Sequence, residues 1–159
     1  MQILEKLKKH PKVKVIHRDD RTGYKGGALK GALRQMDPRT EFIVIFDADF
    51  VPYPDTLIQF LKYFYYSHSK DNGNANGNRF SDYKKSNIAA VQGYQWHVLN
   101  KNENWITKAV RCEFAGSYVV ERPQTEIIGA LKMIAGSVYM IRSDVMKKYG
   151  WGTSITEDF

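Results

Sequence analysis

The chain has 159 residues, 43% of them hydrophobic and 13% aromatic, enough to bury a core in one domain and too apolar for a disordered tail. Its formal charge of +7 suits an anionic partner such as a nucleotide, a nucleic acid or an acidic membrane surface, without choosing among them. The single cysteine, Cys112, excludes an internal disulfide and a cysteine-rich zinc site, so core packing is its expected role. No apolar run reaches the ~18 residues of a membrane span, and residues 1–10 lack the apolar centre of a signal peptide; the segment itself is expected to be soluble.

In chain order, Ile3, Leu4 and Leu7 stand at helical spacing among lysines, a short helix closed off before Pro11. Val13, Val15 and Ile16 read as a strand. A polar turn, residues 18–23, then leads into a helix that carries Ala28, Leu29, Ala32, Leu33 and Met36 on one side. Lys25, Gly26 and Gly27 at its start could lie close to an anion, because glycine removes the Cβ and the first amides of a helix are free. The Gly-x-x-x-x-Gly-Lys-Ser/Thr order of a P-loop is absent, and a plain glycine turn explains the same residues.

Phe42-Ile43-Val44-Ile45-Phe46 is a wholly apolar run with no polar alternation, as in a strand covered on both faces within a parallel sheet. It ends in Asp47-Ala48-Asp49, after which Pro52 and Pro54 stop the ladder. On an extended backbone the two carboxylates would point the same way, their Cβ atoms roughly 7 Å apart at about 3.3 Å rise per residue. Were they drawn to about 4 Å, they would repel by about 4 kcal/mol at an effective dielectric of 20, so a shared cation or proton is expected. Oxygen-only ligands favour magnesium or manganese over zinc. Asp-x-Asp also arises as a simple cap or turn; its place after a buried strand favours a ligand site, since open α/β sheets bind ligands beyond the carboxyl ends of their strands.

Leu57, Ile58, Leu61, Phe64 and Tyr65 then give a helix, and its aromatic stripe (Phe60, Tyr63, Phe64, Tyr65, Tyr66) is expected to be core and neighbouring contact rather than a base-stacking platform. Residues 67–86 lose periodicity around an Asn/Gly tract and read as a flexible insertion within one domain. Residues 88–93 form a short strand whose end, Tyr94-Gln95-Trp96-His97, crowds aromatic and hydrogen-bonding groups together. A helix follows from Glu103 to about Glu121, capped by Asn102 or Asn104 and broken by Pro123. Residues 133–141 read as a strand interrupted by small residues, then a short helix spans 143–148. Strands alternating with helices point to an α/β sheet with parallel pairing. The helix-like opening and the stop at Thr156-Glu157-Asp158-Phe159 suggest a fragment.

Six motifs stand in an order that resembles family 2 glycosyltransferases, closest to cellulose synthase-like β-glucan and β-mannan synthases. They are Gly23-Tyr24-Lys25-Gly26-Gly27-Ala28-Leu29, Phe46-Asp47-Ala48-Asp49-Phe50-Val51-Pro52, Val91-Gln92-Gly93-Tyr94-Gln95-Trp96, Asn100-Lys101-Asn102-Glu103-Asn104, Ala135-Gly136-Ser137 and Thr156-Glu157-Asp158. The resemblance covers nearly the whole chain apart from the insertion. It implies a GT-A fold, a three-layer sandwich on a mostly parallel sheet, with residues 1–159 forming a single partial catalytic domain that lacks the N-terminal part of the fold. It implies a nucleotide-diphospho-sugar donor of the UDP-glucose or GDP-mannose type and inverting transfer of a hexose to a polysaccharide or lipid-linked acceptor.

Carried onto these positions, Asp49 resembles the main ligand of Mg2+ or Mn2+, with Asp47 beside it nearer the nucleotide, and Asp158 resembles the catalytic base. Lys25 and Tyr24 are similar to nucleotide contacts, Gly136 and Ser137 to part of the sugar and acceptor pocket. Glu157 would orient that site and Trp96 could stack on a sugar, or simply be a core tryptophan. The first strand with its early aspartate, the Gln-x-x-Arg-Trp element and flanking transmembrane helices, all expected of the parent, are not in this sequence; the parent is expected to work at the cytoplasmic face of a membrane, and the segment alone to be inactive. A transferase that adds one sugar to a lipid phosphate would share the Asp-x-Asp chemistry. A basic nucleic-acid binder is the remote alternative: Lys and Arg are scattered and no ribonucleoprotein or zinc pattern is present, so no nucleic acid is expected.

Overall fold

A computed structural model describes residues 2–67, 83–95 and 103–152. The elements in chain order are α1 (Gln2–Lys8), α2 (Tyr24–Arg34), β1 (Phe42–Ile45), α3 (Thr56–Phe64), β2 (Tyr65–Ser67), β3 (Tyr83–Lys85), β4 (Ala90–Gln92), α4 (Trp105–Gly116), α5 (Arg122–Ile127), β5 (Tyr139–Arg142) and α6 (Ser143–Tyr149). A π-helical turn, Ser117–Glu121, joins α4 to α5.

The sheet that organises the chain has the order β1-β5-β4, and both pairings are antiparallel. Ile45 and Gln92 both stand opposite Tyr139, the first residue of β5. The expected mostly parallel sheet is therefore corrected for the described residues. β1 and β4 do run in the same direction, as the strand–helix alternation implies, but β5 enters between them from the opposite end. Two strands that end on one edge and a third that begins there place three chain segments side by side.

Covering on both faces holds. One face packs Ile45, Tyr139, Ile141, Met146 and Trp151 with Leu29, Leu33 and Val145, so α2 and α6 cover it. The other packs Val138 and Met140 against Phe60 and Phe64 of α3, with Phe42, Val44 and Phe46 alongside. Phe64 is fully buried, and its ring meets that of Phe42 at 4.7 Å between centroids. Ile43 and Ile45 thus serve one core while Phe42, Val44 and Phe46 serve the other, which is why the run alternates no polar residue.

Local readings differ where tertiary partners decide. Val13–Ile16 forms no strand: Val13 and Ile16 are exposed, and among the described residues no strand pairs with them. Pro123 does not end its helix. Its missing N–H falls at the start of α5, and the turn ahead of it widens so that Arg122 N donates to Ser117 O, five residues back. Asn104 caps α4 through a reciprocal pair: its side chain accepts from Thr107 N at 3.0 Å, while Asn104 N donates to Thr107 Oγ1 at 3.1 Å. Cys112 is exposed, not core. Of the aromatic stripe, Phe60 and Phe64 are core, whereas Tyr63 faces solvent. Tyr65–Ser67 and Tyr83–Lys85, flanking the Asn/Gly segment, pair in an antiparallel ladder; residues 68–82 lie outside the described residues. Among the described residues no helix is long and apolar enough to cross a membrane.

Candidate active site

At the edge where β1 and β4 end and β5 begins, a cleft of about 460 Å³ opens. Its floor comes from the three adjoining segments, with Asp47 after β1, Gln95 after β4 and Ala135–Ser137 before β5; Lys25 enters from α2, and one wall carries Glu113 of α4, Tyr118 of the π-turn and Arg122 at the start of α5.

Asp47 is held from two sides. Its backbone N donates to Ser137 Oγ at 2.8 Å, and Ser137 is buried at 3% exposure. Its Oδ1 lies 2.7 Å from Lys25 Nζ, which also donates to Gly136 O at 2.6 Å. Both charged side chains keep a third to a half of their surface exposed, so water screens the pair and moderates its contribution. The strand does not carry its acids outward in extended form. Phe50 N donates to Asp47 O at 3.1 Å, closing a turn over residues 47–50, and the rings of Phe46 and Phe50 stack at 5.2 Å and 3° across it. Asp47 consequently faces the cleft, while Asp49 stands exposed on the turn and is not part of the lining.

Gln92, the last residue of β4, binds the segment before β5 together. Its Nε2 is shared among Gly93 O, Ser137 O and Val138 O at 2.9–3.0 Å, and its Oε1 accepts from Ala135 N at 2.9 Å. Gln95 Nε2 adds a longer bond to Ser137 O at 3.3 Å. The carbonyls of residues 136–138 are taken up by side chains and by Gly93 N instead of a ladder, so the segment read as strand from 133 begins its ladder only at Tyr139. Gly93 is required: a Cβ there would stand 2.7 Å from Val138 Cγ1 and 3.0 Å from Phe60 Cζ. Gly27 answers a similar need, since a Cβ would fall 2.2 Å from Thr22 O; its close approach is to its own chain's preceding loop.

Two non-glycine residues adopt left-handed backbone, Tyr24 at φ 47° and Val138 at φ 59°. One precedes Lys25 and the other follows Ser137, and such conformations, about 1–3 kcal/mol each, concentrate at functional sites. Tyr24 itself is exposed and does not line the cleft; its carbonyl accepts from Arg18 Nη2 at 2.9 Å.

On the wall, Arg122 lies over the Tyr118 ring at 4.5 Å from its centroid and donates through Nη1 to Met133 O at 3.0 Å. Tyr94 meets Tyr118 edge to face at 5.2 Å. Burial pushes the Tyr118 phenol above its ordinary value, Arg122's charge opposes this, and Tyr94 adds to it, so the hydroxyl remains a neutral donor at physiological pH.

Of the residues singled out from the sequence, the structure brings Lys25, Asp47, Gly136 and Ser137 into one cleft. Asp49 and Tyr24 stand apart from its lining, and Trp96, Glu157 and Asp158 lie outside the described residues. Glu113, Tyr118 and Arg122 are cleft residues that the sequence reading did not single out. Helical phase offers a signal for one of them: Tyr118, in the π-turn, follows Phe114 of α4 by four residues, and their rings stack at 6.4 Å between centroids.

Residues 2–159 match the family described as glycosyltransferase like family 2. The chain belongs to that family. This glycosyltransferase family 2 chain is similar to the probable glucomannan 4-beta-mannosyltransferase 3 of Arabidopsis thaliana, 29% identical over 134 residues that cover 84% of this chain and 21% of that protein. It is similar also to glucomannan 4-beta-mannosyltransferase 2 of Arabidopsis thaliana, 32% identical over 106 residues, 66% of this chain and 16% of that protein. A third relative, glucomannan 4-beta-mannosyltransferase 1 of Oryza sativa subsp. japonica, is 29% identical over 136 residues, 84% of this chain and 22% of that protein. The family 2 chain spans about a fifth of the length of these curated relatives. No solved structure matches it. Family membership implies the GT-A fold, and the described residues form an α/β arrangement whose small sheet is antiparallel.

Proposed function

We propose that this chain is the catalytic segment of a metal-dependent, inverting glycosyltransferase that moves a hexose from a nucleotide-diphospho-sugar to a growing β-linked polysaccharide. The observation that carries the reading is the meeting of Lys25, Asp47 and the Gly136–Ser137 segment at one sheet edge, in a chain of this family whose relatives are named glucomannan mannosyltransferases.

Asp47 and Asp49 are carboxylates of the kind a hard divalent cation takes; Asp47 lines the cleft beside Lys25, and Asp49 stands exposed on the adjoining turn, so the turn must bring it round for both to hold one ion. They offer oxygen only, and Mg2+ or Mn2+ is commonly held by one or two carboxylates together with substrate phosphates and water. Among the described residues no group of three or more His, Cys, Asp or Glu side chains is gathered. Once bound, such an ion supplies Lewis-acid stabilisation of the charge that develops on the departing diphosphate.

The chain's own residues do the rest. Lys25, already beside Asp47 and anchored on Gly136 O, offers its ammonium to a phosphate oxygen of the donor, with Tyr24 next to it at the nucleotide. Ser137 fixes Asp47 through its amide, and Gly136 and Ser137 border the sugar. Asp158 takes the proton from the acceptor hydroxyl as that oxygen attacks the anomeric carbon opposite the leaving diphosphate, which inverts the centre. Glu157 orients Asp158, and Trp96 stacks on the acceptor. The parent protein is a membrane-associated synthase with its catalytic domain on the cytoplasmic side.

The test is manganese-dependent binding of GDP-mannose or UDP-glucose, expected to be lost in Asp49→Asn, together with transfer by the intact protein, expected to be abolished in Asp158→Asn with nucleotide affinity retained. Normal turnover by Asp158→Asn would remove the base; binding by Asp49→Asn that still responds fully to manganese would remove the metal site.

A further inference from the structure

Two polar groups in the cleft wall have no use in the scheme above. Tyr118 Oη and Arg122 Nε are shut off from water, yet neither has a hydrogen-bond partner among the described residues. Folded proteins leave few such groups, and those they keep call for an explanation. Packing does not provide one, because a phenylalanine at 118 would give Tyr94 and Arg122 the same ring to rest on.

The surroundings indicate what would satisfy them. Tyr94 and Tyr118 present aromatic surface, which suits the apolar face of a sugar ring. The Arg122 Nε–H can only donate, whereas the phenol can donate and accept, which suits a hydroxyl oxygen. Glu113 lines the same cleft, and its carboxylate can accept from a sugar hydroxyl but would repel a phosphate. Arg122 is tethered to the wall by the bond from its Nη1 to Met133 O. It can tilt from the Tyr118 ring about that anchor.

We propose that Tyr118 and Arg122 form a pyranose subsite: in the unliganded cleft they cover one another with their hydrogen-bonding groups unmet, and an entering sugar ring parts them and takes up both. This rests on the glycosyltransferase reading and adds to it the residues that recognise the sugar as distinct from the nucleotide.

Tyr118→Phe in the intact protein tests it. The variant should melt at the same temperature or about 2 °C higher, because a buried unpaired hydroxyl has gone. Its KM should rise about fivefold, one hydrogen bond's worth, either for GDP-mannose or UDP-glucose at saturating acceptor or for a β-linked hexo-oligosaccharide at saturating donor. The substrate whose KM moves names the sugar that occupies the subsite. Affinity for GDP or UDP alone should not change. Equal weakening of the free nucleotide would overturn the proposal in favour of a diphosphate contact, and unchanged KM for both sugars would reduce Tyr118 to packing. A wild-type protein that neither binds nor transfers from a nucleotide-sugar would remove the glycosyltransferase reading and the subsite with it; normal wild-type transfer with a kinetically silent Tyr118→Phe removes the subsite alone.

Discussion

Replacing Ser137 by alanine deletes one oxygen atom and asks what holds Asp47 in place. The hydroxyl is buried and accepts from the Asp47 amide at 2.8 Å, so a methyl group would leave that N–H without its acceptor. An unmet buried donor costs about 1–3 kcal/mol; Asp47 is half-exposed and water can reach it from the cleft, which places the expected loss in the lower half, about 1–1.5 kcal/mol. For a protein of this size that corresponds to a fall in Tm of about 2–6 °C. Ser137→Cys, with a weak acceptor in the same place, should fall between the two. Thermal melts give the order, and hydrogen exchange at the Asp47 amide gives the cause: protection should drop in Ser137→Ala. If the hydroxyl instead served only as a sugar contact, Ser137→Ala would keep its Tm and its Asp47 protection and lose only affinity for substrate. That pattern would refute the positioning role.

Gln92→Leu should cost about 2–3 kcal/mol in urea unfolding, because the amide shared among three carbonyls and the acceptor for Ala135 N are lost together; a midpoint within error of wild type would contradict this. Gly93→Ala forces a Cβ against Val138 and Phe60 and should destabilise by about 1–3 kcal/mol in the same assay, whereas Gly31→Ala, whose Cβ would meet nothing, should not. The Tyr118 phenol titrates above its ordinary value in the folded protein through burial, so the native state retains a proton that the unfolded chain releases near pH 10. Stability should therefore decline as pH climbs past about 10, and the share due to Tyr118 should be missing from Tyr118→Phe in melts taken across that range.

Much of the frame could be read from composition and spacing because burial dictated it. Residues 42–46 are apolar without a break since alternate side chains feed two cores, and Asn104 with Thr107 announces the start of α4 in purely local terms. Strand direction is not local. Nothing in Tyr139–Arg142 says that it enters the sheet against its neighbours, and a helix-rich chain makes parallel pairing the natural expectation. Val13–Ile16 fails as a strand for a related reason: alternation supplies the side chains of a strand, not the neighbour that completes its ladder. Lys25, Asp47, Gly136 and Ser137 came forward through their motifs. Tyr118 and Arg122 did not, because ordinary residues within a helix acquire meaning only from what the fold sets opposite them.

The stacked rings of Phe46 and Phe50 bracket the turn that carries both acids, and one ring comes from each side of the Asp-Ala-Asp triplet. The turn between two charged groups is thus braced by a pair of hydrocarbon rings that are absent from the cleft lining. Variation at position 50 would alter how the carboxylates sit while every oxygen in the cleft stayed chemically the same, giving the active edge a means of adjustment lodged in its greasy underside.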